Sequence, residues 1–320
     1  MADRLTKSNK PDFTFRPNQF FAYDLIEDVM FKTNLTKKAW EGLVYPWGVA
    51  SLSQFDPNFH PWHESETYLH KDEAYHNGTV WLWNNGIAMQ RMIESGQKNI
   101  AFELFKNMSY QTLHSKGAVG ALSELTDALP RDGQSTTNLS GTFSQAWSSA
   151  EYLRVWYQYF LGIQPNAISK TVSVKPNIPD SLNHLDYQIV LFDGKLTGSF
   201  HRSDSTAKYA YTIDSVSTSF SFVLHFDGYL PIVQTVKNKE TVSIVRTPSA
   251  ISISIIDASG KNLEPKQFSP DAAKLKISER QSEIMKGVRF TKPFLNENLD
   301  CLKAENKENV RKKLNSNKTN

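Results

Sequence analysis

Glu124 opens the short run "ELTD", which follows a predicted helix and precedes a polar loop. A carboxylate there can take or give a proton, and its bland alternative is a solvated loop acid, because most glutamates face water. Two other stretches carry comparable polar and aromatic density. One is "FRPNQFF", where Arg16, Asn18 and Gln19 flank a predicted helix start at Pro17. The other is "EAYHNGTVWLW", where Tyr75, His76 and Asn77 stand just before Trp81 and Trp83. A third loop, running from Gly120 to Trp147, adds Asp127, Asp132 and Gln145 to Glu124.

Planar amides, an arginine and amphipathic aromatic rings suit a sugar. A pyranose offers an apolar C–H face to an aromatic ring, and Trp and Tyr add a polar handle. Its hydroxyls need partners such as Arg, Asn and Gln if they are not to be buried unpaired. Against this stands a plainer reading, in which Trp81, Trp83 and Trp147 are core residues of helices, since aromatic stripes usually pack inward. A metal reading is also available. His60, His63, His70 and His76 lie close to Glu64, Asp72 and Glu73. The spacing matches no zinc template, and "HESETYLH" is not H-E-x-x-H, so no metal is expected.

These residues need a scaffold. In the first half the spacing predicts about five helices, within "PNQFFAYDLIEDVMFK", "NLTKKAWEGLV", "GTVWLWNNGIAMQRMIESG", "QKNIAFELFKNMSYQTLHSKG" and "GTFSQAWSSAEYLRVWYQYFLG". The third is expected to end at Gly96 and the fourth at Gly117. In the fifth, Trp147, Ala150, Leu153 and Tyr157 share one face. Long polar loops between such helices are usually functional. The second half alternates apolar and polar residues in runs such as "DYQIVLFDGKLTGSFHRSD", which predicts short strands, with Asp193-Gly194 as a hairpin turn. Every tryptophan lies before residue 157, which argues for two domains.

Composition excludes several classes. Among 320 residues the formal net charge is +3, with no basic face of the kind nucleic acid needs. The single Cys301 rules out an internal disulfide and a cysteine-ligated metal. No apolar run reaches the roughly 18 residues of a membrane span, and "MADRLTKSNKPDF" lacks a secretory apolar core, so a cytoplasmic protein is expected. No phosphate-binding glycine loop or nucleophile elbow occurs. The final eighteen residues hold six Lys and Arg against two Glu and read as a disordered tail.

Taken in order, "RPNQFFA", "GVASLSQFDPNFHPW", "YHNGTVWLW", "SELTDALP" and "GTFSQAWSSAEYLR" resemble the amylo-α-1,6-glucosidase domain of glycogen debranching enzymes, over about Phe15 to Gly162. The resemblance implies an (α/α)6 toroid, which the helix count makes an incomplete one of about five to six helices; with the alternating second half read as a mostly antiparallel β-sandwich, an α+β two-domain chain is expected. The corresponding boundaries are a polar leader 1–14, the toroid part 15–165, the sandwich 166–290 and a basic tail 291–320. It further implies inverting hydrolysis of α-1,6-linked glucose stubs on glycogen or limit dextrin. That reaction uses two carboxyl groups roughly 6.5–9.5 Å apart and no cofactor.

By the same resemblance Glu124 is the general base. Arg16, Asn18, Gln19, Tyr75, His76, Asn77, Trp81, Trp83, Gln145 and Trp147 line the sugar site. The family more often has Gln at Asn77 and Pro at Leu82. Its general acid lies upstream of the "RPNQ" segment. The expectation is therefore a fragment lacking that acid, with an upstream half as possible partner. Two alternatives stay open: another (α/α)6 glycosidase, or a non-catalytic glycan-binding remnant.

Overall fold

The structure, a computed structural model, describes residues 2–114, 119–217 and 219–293. The expected end of a helix at Gly117 and most of the basic tail lie outside the described residues. The chain divides into two compact units. One contains residues 1–155 and the chain from Ile284 onward; the other contains residues 156–283. No described helix is long and apolar enough to cross a membrane.

The first unit begins with a small hairpin, β1 (Arg4–Leu5) and β2 (Pro11–Asp12). Two 3-10 turns follow, Pro17–Phe20 and Ala22–Leu25. The helix expected to run on from Pro17 does not form. Phe20 is fully buried while Leu25 is 87% exposed, so the apolar spacing does not define one face. A helix restarts only at α1 (Val29–Leu43), because the Asp28 carboxylate accepts the N–H groups of Met30 and Phe31 at 2.8 and 3.0 Å. That cap satisfies donors which otherwise have no intrahelical partner.

Two short strands, β3 (Val44–Tyr45) and β4 (Gly48–Val49), pair after α1. After a long loop come β5 (Val80–Trp81), α2 (Asn84–Glu94) and α3 (Lys98–His114). Gly96, at φ 79, ends α2 with its N–H on the Ile93 carbonyl, and Gln97 N–H reaches Met92 O. This is the left-handed glycine cap. Strands β6 (Leu125–Thr126) and β7 (Leu139–Ser140) join β5 in one antiparallel sheet, and α4 (Ala146–Val155) closes the unit.

α2 is the centre of the unit. Every residue from Asn84 to Ile93 is buried, so the helix has no solvent face. Two of its polar side chains, Asn85 and Arg91, are paired. Asn85 Oδ1 accepts Val49 N–H at 3.0 Å. Arg91 donates to Phe20 O and to the carboxylates of Asp24 and Glu94 at 2.9–3.1 Å. The toroid expectation is overturned here. The described residues 15–155 contain four α-helices gathered on a buried α2 and interrupted by short strand pairs, not a ring of helical hairpins.

The chain re-enters the first unit at Ile284. Lys37 Nζ donates to the carbonyls of Ile284 and Lys286, Thr291 bonds Val44 O and Trp40 O, and the Phe290 ring lies 5.4 Å from that of Trp40.

The second unit starts with one π-helical turn, Trp156–Phe160. It then supplies β8 (Ile163–Asn166), β9 (Thr171–Val174), β10 (His184–Leu191), β11 (Gly194–Ser203) and β12 (Thr206–Asp214). Next come β13 (Phe220–Leu224), β14 (Ile232–Val236), β15 (Thr241–Arg246), β16 (Ile251–Ile256) and β17 (Lys266–Phe268). The last element, α5 (Ala272–Met285), leads out of the unit. One sheet is six-stranded and antiparallel, in the order β10-β11-β12-β15-β16-β17. The other, β14-β13-β9-β8, contains one parallel pair, β9 with β13. Inward residues of both sheets, including Val172, Phe200, Tyr211, Phe222 and Ile244, form a single core. The β10–β11 hairpin turns on Phe192 and Asp193, with Gly194 already paired to Leu191.

Candidate active site

The short sheet β5-β6-β7 places Glu124. Leu82 N–H donates to Glu124 O at 3.2 Å and Glu124 N–H donates to Thr142 O at 3.0 Å, so its backbone is pinned on both sides. The side chain is held as firmly. Tyr75 OH donates to Oε1 at 2.8 Å, while Thr142 N–H and Thr142 Oγ1 both donate to Oε2 at 2.9 Å. Gly141 permits this approach. Its φ is 72, and a Cβ there would sit 2.7 Å from Glu124 Oε2.

Partial burial pushes the Glu124 carboxyl up. The Thr142 N–H, the Tyr75 and Thr142 hydroxyls and the nearby His63 pull it down, and the balance leaves it below its ordinary value. Glu124 is therefore ionised at neutral pH. The same hydrogen bond raises Tyr75 to about 12, with burial adding to it.

Aromatic rings gather at Tyr75. Trp81 meets it edge-on at 4.7 Å between ring centroids, and His76 stacks on Trp81 at 5.4 Å and 3°. Trp81 Nε1 donates to Tyr75 O at 2.7 Å. The backbone of this segment is latched from Arg16, which donates to Ser51 O at 3.1 Å, to Asn77 Oδ1 at 3.0 Å and to His76 O. Asn77 in turn donates to Glu73 O at 3.1 Å. Gly78 follows, where a Cβ would strike His60 O at 2.1 Å.

The structure thus joins Glu124, Tyr75, His76 and Trp81 in one cluster, with Arg16 and Asn77 bonded to its backbone. The other expected residues are engaged elsewhere. Asn18 donates to Asp3 Oδ1 at 2.9 Å, and Gln19 to Arg16 O at 3.1 Å. Trp83 lies against Phe21 at 5.5 Å. Gln145 is buried and accepts from Ser148 Oγ at 2.8 Å. Trp147 is 58% exposed, so the face of α4 expected to pack inward points to solvent.

Sequence reasoning missed Thr142, and weighed His63 only as a metal ligand. Nothing in "SGTFSQ" marks a threonine as the donor of two bonds to a glutamate 18 positions earlier in a different loop arm. Asp127 is fully buried beneath the cluster, bonded by His63 N–H and by Arg131 Nε at 2.8 Å each. Burial pushes its carboxyl up against the pull of Arg131. A cavity of about 970 Å³ is walled by residues including Trp47, His63, Glu64, Tyr110, Arg131 and Ser140. Glu124 is not in its wall, but the His63 ring lies 5.7 Å from that of Tyr75. His63, Glu64 and Asp72 also bring three potential ligand atoms within 4.8 Å of one another.

Residues 1–154 match the family model described as amylo-alpha-1,6-glucosidase. Over these residues the chain is similar to the glucosidase domain of glycogen debranching enzymes. No curated protein matches the chain.

Proposed function

We propose that the first unit binds the α-1,6-linked glucosyl stub of an α-glucan and hydrolyses it with inversion, Glu124 activating the water. The observation that carries this is the carboxylate itself. It is ionised and fixed by three hydrogen bonds, beside a wall of Tyr75, Trp81 and the exposed His76. A base must be unprotonated at working pH and held in position. The ring faces suit the apolar side of glucose.

A second reading, α-glucan binding without turnover, has its own support. Inversion also needs a carboxylic acid on the opposite side of the sugar. Asp127 is buried against Arg131, Glu73 lies 3.4 Å from His60, and Asp72 lies 4.0 Å from His63.

The test is a maltooligosaccharide carrying one α-1,6 glucosyl stub, with the released sugar followed by NMR. Release of β-glucose that Glu124→Gln slows about 10²–10⁴-fold supports the hydrolase. Initial α-glucose refutes inversion. Binding with no release by either protein selects the second reading. Neither binding nor release refutes both.

A further inference from the structure

The geometry points to a divalent transition-metal site made by His63, Glu64 and Asp72. The residues are not neighbours in any zinc template, and the fold is what unites them. Glu64 N–H donates to Lys71 O at 3.2 Å, closing a loop that returns Asp72 to His63. Glu64 adopts φ 53, which turns the chain at the loop's mouth. His63 Nε2 then lies 4.0 Å from Asp72 Oδ1, and the three ligand atoms fall within 4.8 Å of one another.

The independent observation is the histidine. His63 is only 4% exposed, yet neither ring nitrogen has a hydrogen-bond partner. Buried imidazole nitrogens are ordinarily satisfied. Here Nε2 is aimed at two carboxylates too distant to bond it directly. Bonds of about 2.0–2.2 Å to a tetrahedral ion set its ligands roughly 3.3–3.5 Å apart. The gap is slightly wide for contact and slightly wide for an ion, and the half-exposed Glu64 and Asp72 side chains, 54% and 63% accessible, are free to close it. Glu64 now pairs with the exposed Lys71 at 3.7 Å, which a divalent ion displaces readily.

One imidazole and two carboxylates suit Zn²⁺, Mn²⁺ or Co²⁺. Ca²⁺ and Mg²⁺ favour all-oxygen sites. The adjoining cavity, which has both His63 and Glu64 in its wall, admits the ion and the water that completes its coordination. A bound ion would tie residues 63–72 together directly behind Tyr75, whose ring is 5.7 Å from His63.

Co²⁺ titration of the full chain tests this through the visible absorption of a tetrahedral nitrogen–oxygen site, with equilibrium dialysis of Zn²⁺ for stoichiometry. The expected result is about one ion per chain, weakened at least tenfold in Glu64→Gln and in Asp72→Asn. Both substitutions are on exposed side chains, and circular dichroism verifies that the variants fold. Absence of the cobalt band in the wild-type chain, or affinity unchanged in both variants, overturns the site. In the second case the ion sits on other histidines.

Discussion

Replacing Gly141 with alanine tests the positioning of Glu124 without touching the carboxylate. Two costs follow from the structure. The φ of 72 is left-handed, which costs an L-residue about 1–2 kcal/mol. The new Cβ would also lie 2.7 Å from Glu124 Oε2, 3.0 Å from its Cβ and 3.2 Å from its Cδ. Glu124 must move, and both Thr142 donors lose their acceptor. Hydrogen bonds to charged groups are worth about 1.5–3 kcal/mol, and the half-exposure of Glu124 reduces that to about 1–2 kcal/mol. The total is about 2–4 kcal/mol.

Gly133→Ala is the control. Its φ is 78 and nothing lies within 4 Å, so it bears only the backbone cost of about 1–2 kcal/mol. In a Glu124→Ala background, which removes the carboxylate but keeps the Cβ at 3.0 Å, the cost of Gly141→Ala should fall by about 1–2 kcal/mol. Urea unfolding followed by tryptophan emission reads the correct unit, since six of the seven tryptophans precede residue 156. Equal losses for Gly141→Ala and Gly133→Ala, or no coupling to Glu124, would refute the steric argument and the placement of the carboxylate with it.

Asp127→Ala strands Arg131 and the His63 N–H, and should cost about 3–5 kcal/mol in urea unfolding; a loss under about 1 kcal/mol contradicts the buried pairing. Phe222→Ala, in the fully buried core of the second unit, should cost about 3–5 kcal/mol, read as an earlier unfolding of the strand signal in circular dichroism. Tyr75 should titrate near 12 by ring-labelled NMR and move toward 10 in Glu124→Gln, because the hydrogen bond from the phenol to the carboxylate and then its negative charge disfavour the phenolate; an unchanged midpoint breaks the hydrogen bond. Asp12 should titrate at about 2 instead of 3.8, held down by the Thr14 hydroxyl and N–H and by Arg4. Its depressed value makes its contribution complete above 3.8 and lost as pH falls through about 2, and Thr14→Ala should move the NMR midpoint upward.

What could be read from the chain, and what could not, follows the range of the interactions. The strands of the second unit announce themselves because one buried face imposes a period of two, as in the alternation Val242, Ile244 on β15. Gly96 signals a helix end because its own φ performs the task. The turn "YHNG" and the acid of "ELT" are visible through their resemblance to one family, and they do meet. Their meeting depends on Thr142, which no local pattern marks. The helix expected from Pro17 failed for a local reason with a distant reward. Asp28 caps a later start, and the two 3-10 turns before it leave Phe20 O and Asp24 free to receive Arg91.

α4 shows why a periodic pattern can be read the wrong way round. Its apolar residues Trp147 and Leu153, expected on the inward face, are 58% and 51% exposed. The face turned to α2 is polar. A Cβ at Gly86 of α2 would lie 2.4 Å from Glu151 Oε2, so only glycine lets that carboxylate lie against the helix. Arg154 then bonds Glu151 through two nitrogens at 2.7 Å each and Gln90 of α2 at 2.8 Å. Half-burying those groups is tolerable because each finds a partner, Glu151 in Arg154 and Arg154 also in Gln90, which lies 64 residues earlier in the chain. A hydrophobic period reports which residues leave water when helices meet through apolar side chains. Where a glycine and a charged pair make the contact instead, the period describes the opposite surface, and the inward face is legible only from the helix it meets.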